Sequence, residues 1–128
     1  MLYAIICYND EKLVSAWSKE EDDAVMARLG AITGKLAASG KLGPCARLVP
    51  STQAKALRKG KDGPIVTDGP FAETKEHLLG FYLVECKDVD EAVAIAKDLQ
   101  AANAGPSAYD IRPVMVFVPG GKLAEAAE

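Results

Sequence analysis

The sequence predicts an α+β domain of the split-βαβ, ferredoxin-like kind, and three observations predict it. Strand-length apolar runs lie at the start, middle and end of the chain, over residues 2–8, 78–86 and 109–118. Two amphipathic segments, behind capping signals at Ser18 and Asp88, stand between them. The order is strand, helix, strands, strand, helix, strand: two βαβ-like halves in one antiparallel sheet with both helices on one face. Residues 1–118 form the single domain and residues 119–128 a flexible C-terminal tail.

The first run, Leu2-Tyr3-Ala4-Ile5-Ile6-Cys7-Tyr8, has no polar face, the pattern of a strand covered on both sides. Residues 9–12 end it, and residues 13–17 connect to the first helix, with Trp17 placed to pack against that helix. Ser18 and Glu21 form a capping box, and Glu20, Asp22 and Asp23 put negative charge at the positive end of the helix dipole. Val25, Leu29, Ile32 and Leu36 make one apolar stripe, and Gly40 stops the helix. A second strand runs from Gly43-Pro44 through Cys45-Ala46-Arg47-Leu48-Val49 to Pro50.

Residues 54–58 and 64–67 flank Lys59-Gly60-Lys61-Asp62-Gly63, which has the composition of a hairpin loop. Its basic tip is expected to be solvated. The run at 78–86 is a central strand. Asp88 caps the second helix, whose buried stripe is Ala92, Val93, Ile95, Ala96 and Leu99, and Asn103, Gly105 and Pro106 end it. The closing strand spans 109–118. Pro113 within it lacks an N–H and therefore belongs on a sheet edge or at a bulge. Two helices cover only one face of such a sheet, so the apolar second face calls for a partner, and a second copy of the chain about a two-fold axis is the simplest one.

Composition narrows the function. With 128 residues, 49% hydrophobic and 26% charged, the chain suits one globular core. A net charge of −3 leaves no electrostatic footprint for a phosphate backbone, so no nucleic-acid binding is expected. The first apolar run is too short for a signal core or a membrane span and has no basic segment before it, so the protein is expected in the cytoplasm, away from membranes. Three scattered cysteines and one histidine supply neither a disulfide framework nor a nitrogen and sulfur cage for a metal, and no phosphate-binding glycine loop occurs. No metal or cofactor is expected. Cys7 and Cys86 read as buried strand residues, and Cys45 as the thiol to test for reactivity.

The densest cluster of turn formers and ionisable groups is at residues 66–80. Gly69 supplies backbone freedom and Pro70 restricts it, so Asp68 is held at a sharp strand exit. Glu73, Lys75, Glu76 and His77 follow within nine residues of it. The tetrapeptide Asp68-Gly69-Pro70-Phe71 with Ala72-Glu73-Thr74-Lys75-Glu76 resembles the signature loop of the DGPF branch of the YCII-related family. Residues 3–8 and Ile111-Arg112-Pro113-Val114-Met115 resemble that family's opening and closing strands.

This resemblance implies a dimeric α+β barrel. It also implies, for relatives regarded as enzymes, a His–Asp acid–base pair in a cleft beside the dimer interface, a few of them acting on lactones or chlorinated aromatic breakdown products. Asp68 best matches the acid. The family's histidine is expected on or near the first helix, yet residues 19–39 contain none. His77 is the only histidine and lies inside the signature loop, where similar sequences often carry Gln.

Two functions are consistent with these residues. One is a non-catalytic metabolite-binding or regulatory module with a small-molecule pocket near the Asp68 loop. The other is an enzyme acting on a small organic acid or lactone, with Asp68 as base and His77 or Glu73 assisting. In either, Arg112 is placed to hold a small anionic metabolite in a two-pronged contact, and Tyr8 and Tyr82 to line the cavity. Each has a plainer role as well: a turn cap for Asp68, a pair with Asp110, Asp68 or Glu85 for Arg112, and core packing for the tyrosines.

Overall fold

The structure is a computed structural model and describes residues 1–70 and 76–123. The chain runs β1 (Leu2–Asn9), α1 (Glu11–Ser15), α2 (Lys19–Ala38), β2 (Leu42–Arg47), β3 (Lys55–Gly60), β4 (Gly63–Asp68), β5 (His77–Glu85), α3 (Val89–Ala102) and β6 (Ala108–Pro113). A single 3-10 turn, Ser51–Gln53, lies between β2 and β3. Four strands form an antiparallel sheet in the order β2-β5-β1-β6. Leaving out the β3–β4 hairpin, this is the strand order of a ferredoxin-like sheet, the expected α+β class.

Strand β1 shows how the sheet divides. Tyr3, Ile5, Cys7 and Asn9 are buried, while Leu2, Ala4, Ile6 and Tyr8 between them are half-buried. Side chains alternate along a strand, so the first set faces α2 and α3 and the second set lines the open face. Of the buried set, Tyr3 and Ile5 join Val25, Leu29 and Leu36 of α2, Ile95, Ala96 and Leu99 of α3, and Val84 of β5 in one core. Both expected caps are present. Ser18 accepts the Glu21 N–H while Glu21 reaches back to the Ser18 N–H, and Asp88 accepts the Glu91 N–H at 2.9 Å.

Four sequence expectations need correction. The segment over 13–17 is not a plain connector, because Asp10 accepts the Lys12 N–H at 2.9 Å and starts the short helix α1. Strand β2 begins at Leu42 and ends at Arg47, leaving Leu48 and Val49 exposed beyond it. The hairpin is present, but its turn is the two residues Lys61-Asp62 and it forms a sheet of its own. The last strand stops at Pro113. Its ladder ends where the Val114 N–H meets the Leu2 carbonyl at 2.9 Å, at the residue where β1 begins. Residues 115–118 pair with no strand, and Met115 is 96% exposed.

Pro113 lies on the edge strand β6, the position its missing N–H requires. No described helix is long and apolar enough to cross a membrane.

Candidate functional site

The end of β1 sets the site. Asn9 is fully buried because its side chain satisfies two backbone groups: Nδ2 donates to the Ala104 carbonyl at 3.0 Å and Oδ1 accepts the Asp10 N–H at 2.8 Å. This locks the turn from β1 into α1 and fixes Glu11 at the first position of that helix. The Glu11 carboxylate accepts both the Ser51 backbone N–H, at 2.8 Å, and the Ser51 hydroxyl. Its own N–H donates to Nδ1 of His77 at 3.3 Å, and its Oε1 lies 3.8 Å from the same nitrogen. His77 pairs with Asn9 across the β1–β5 ladder, so the chain leaving the signature loop enters the sheet beside Glu11. A ring that accepts at Nδ1 carries its proton on Nε2 when neutral.

Two cavities meet beside this cluster. The smaller, about 80 Å³, lies between α2 and the helix-covered face of the sheet, with Cys7, Trp17, Met26 and Tyr82 among its walls. The larger is a cleft of about 340 Å³ between α1 and the segment following β2, with Glu11 at one wall and Val14, Leu48, Val49, Pro50 and Leu79 around it. Val14, Arg47 and Leu79 line both. Arg47 is held from the α2 side: Nη2 donates to Asp22 Oδ1 at 3.0 Å and Nη1 lies 3.1 Å from the Met26 sulfur. Gly80, opposite Arg47 in the β2–β5 ladder, is required there, because a Cβ would overlap the Ala46 carbonyl oxygen.

The smaller cavity offers no nucleophile at neutral pH. Burial pushes the Cys7 thiol up to about 12 and the Tyr82 phenol up to about 12. The exposed Cys45 thiol is also raised, chiefly by desolvation. Mostly apolar walls, with the Arg47 guanidinium and the Asp22 carboxylate paired to each other, hold a ligand rather than attack it. Among the described residues, no group of three or more His, Cys, Asp or Glu side chains is arranged to hold a metal ion.

The residues expected from the sequence are dispersed. Asp68 ends β4 with its side chain 85% exposed and paired with Lys55 across the hairpin; Gly69 follows at φ +93°, the conformation expected of it. Asp68 is not among the residues lining the two cavities. Arg112 sits on β6 opposite Ala4, which places it on the open face, and it binds Asp110 through Nε at 3.1 Å and Nη2 at 3.0 Å, one of its plainer alternatives. Tyr8 is half-buried on the open face, whereas Tyr82 faces the helices and lines the smaller cavity. His77 is next to Glu11. Glu73 lies outside the described residues.

Glu11, Asp22 and Arg47 were not anticipated. Arg47 had a readable signal, a lone cation within the apolar stretch 45–49 like Arg112 within its own strand. Glu11 had none, because its neighbours Ser51 and His77 are 40 and 66 residues away in sequence.

Residues 1–118 match the YCII-related domain family. An uncharacterized protein of Rhizobium meliloti (strain 1021) is 56% identical to this chain over 120 residues, covering 94% of this chain and 97% of that protein.

Proposed function

On the premise that this chain belongs to the YCII-related domain family, we propose that it is a small-molecule-binding module of that family's DGPF branch. Its binding site is the cleft between α1 and the segment following β2. The observation that carries this reading is the placing of Arg47 and Glu11 on a cleft whose other walls are largely apolar. A concave apolar site with a few convergent polar groups is the usual form of a ligand pocket. The branch assignment rests on Asp68-Gly69-Pro70-Phe71 and the residues after it. Because β5 starts at His77, the signature loop returns to the sheet beside this cleft, and this supports a pocket served by the loop. In this reading the protein is a cytoplasmic homodimer whose second copy covers the open sheet face.

The test is a thermal-shift screen of wild type, Val14→Phe and Asp68→Ala against small carboxylates, lactones, phenolic acids and amino acids. A ligand at 100 times its Kd adds about 2.7 kcal/mol to stability. Hits shared by wild type and lost in Val14→Phe, which fills the cleft, support the site, and a further loss in Asp68→Ala extends it to the loop. Hits that Val14→Phe retains at full strength sink it.

The His77–Glu11 contact favours a second reading, an acid–base enzyme for a small organic acid or lactone, in which His77 transfers the proton. It requires turnover of one of the hits and its loss in His77→Gln at unchanged melting temperature.

A further inference from the structure

Among the described residues that line it, the cleft has one carboxylate, Glu11, and one guanidinium, Arg47, and its ligand has to answer both. The Glu11 side chain is only 12% exposed. Ser51 holds its carboxylate with two donors but brings no positive charge. Among the described residues, the only basic group within ion-pair reach of Glu11 is His77, and that ring turns to it a nitrogen that already accepts the Glu11 N–H. Among the described residues, a carboxylate largely removed from water therefore faces the cleft without a permanent cation beside it, an arrangement that a ligand cation relieves.

Across the same cleft stands Arg47, whose partner Asp22 lines the smaller cavity and not this one. The guanidinium is thus anchored from the far side, with two of its nitrogens engaged there. A guanidinium has five N–H donors in a planar fork, so one anchored in this way can still meet a carboxylate.

Resting on the small-molecule reading above, we infer that the cleft binds a zwitterion of the aliphatic amino-acid class, its ammonium at Glu11 and its carboxylate at Arg47. Val14, Leu48, Val49, Pro50 and Leu79 supply an aliphatic wall for the side chain, and among the described residues none that lines the cleft is aromatic. Its volume of about 340 Å³ accommodates a molecule of this size. A simple carboxylate would leave Glu11 unpaired and repelled, a simple amine would leave Arg47 unused, and a lactone would satisfy neither.

The experiment is calorimetric titration of the full chain with L-leucine, 4-methylpentanoate and 3-methylbutylamine, which share one branched side chain and differ in which charges they carry. Wild type is expected to bind L-leucine at least about tenfold more tightly than either half-analogue, the effect of one charge-assisted contact. Glu11→Gln keeps an acceptor for Ser51 and is expected to lose the preference for L-leucine over 4-methylpentanoate. Equal binding of L-leucine and 4-methylpentanoate by wild type overturns the zwitterion and leaves the small-molecule cleft standing. A preference that persists in Glu11→Gln overturns it equally. If none of the three binds, the zwitterion falls, and silence across the wider carboxylate, lactone and phenolic panel as well removes the cleft reading itself.

Discussion

Cys7 and Tyr82 show how single residues tie the site to the core. Both face the helices from neighbouring strands, and burial holds both in their neutral forms in the folded chain. On unfolding, the thiol returns toward its ordinary 9.0 and the phenol toward its ordinary 10.0. Above those values the unfolded chain binds fewer protons than the folded one, so stability is complete below about pH 9 and falls as pH rises toward 12. Urea midpoints measured from pH 7 to 11 are expected to be flat and then decline. In Cys7→Ala the decline becomes shallower between pH 9 and 10, the remainder belonging to the raised phenols Tyr82 and Tyr109 and to the raised thiols Cys45 and Cys86. An unchanged slope in that variant contradicts the assignment.

Among the elements, α2 does most to build the site. It carries Asp22 and Met26 toward Arg47 on its first turns while Val25, Leu29 and Leu36 face the core. Those first turns depend on the Ser18–Glu21 capping box, which satisfies N–H groups that have no partner within the helix. Replacing an N-cap serine by alanine typically costs about 1 kcal/mol. Ser18→Ala is expected to lower stability by about that amount in urea unfolding with an unchanged denaturant slope, whereas a loss within error would mean that packing alone sets the start of the helix. The hairpin of β3 and β4 is a contrasting element. It pairs only with itself, and Leu57 and Val66 on it are 68% and 63% exposed.

At the scale of the whole molecule, the apolar surface is left on the side away from the helices. The open face carries Ala4, Ile6 and Tyr8 of β1, with Phe81 and Leu83 opposite Ile6 and Ala4 on β5. Residues 115–118 add a further exposed apolar run. Contiguous apolar surface of this kind is a usual mark of an interface. Sedimentation at micromolar concentration is expected to give twice the 13.5 kDa chain mass, and Ile6→Glu, placing a charge at the middle of the open face, to give the single-chain mass. A wild-type mass of one chain would end the proposal that a second copy covers the sheet.

Periodicity and local capping chemistry determined the fold by themselves. The unbroken apolar run of β1, the four- and three-residue spacing of Val25, Leu29, Ile32 and Leu36, and the caps at Ser18 and Asp88 each depend on neighbours a few residues away, so they can be read from the chain alone. Where that reading failed, at α1 and at the end of β6, the outcome turned on something outside the local pattern. Asp10 had to be free to cap, and β6 could run only as far as β1 did. The candidate site was legible in part. The sequence singled out His77 and Tyr82 as chemical groups, but their surroundings came from tertiary structure. Only packing brings Glu11 to Ser51 and His77 and turns Arg47 toward Asp22. Electrostatic contact depends on distance in space, and residues 40 or 66 positions apart acquire that distance only when the sheet closes.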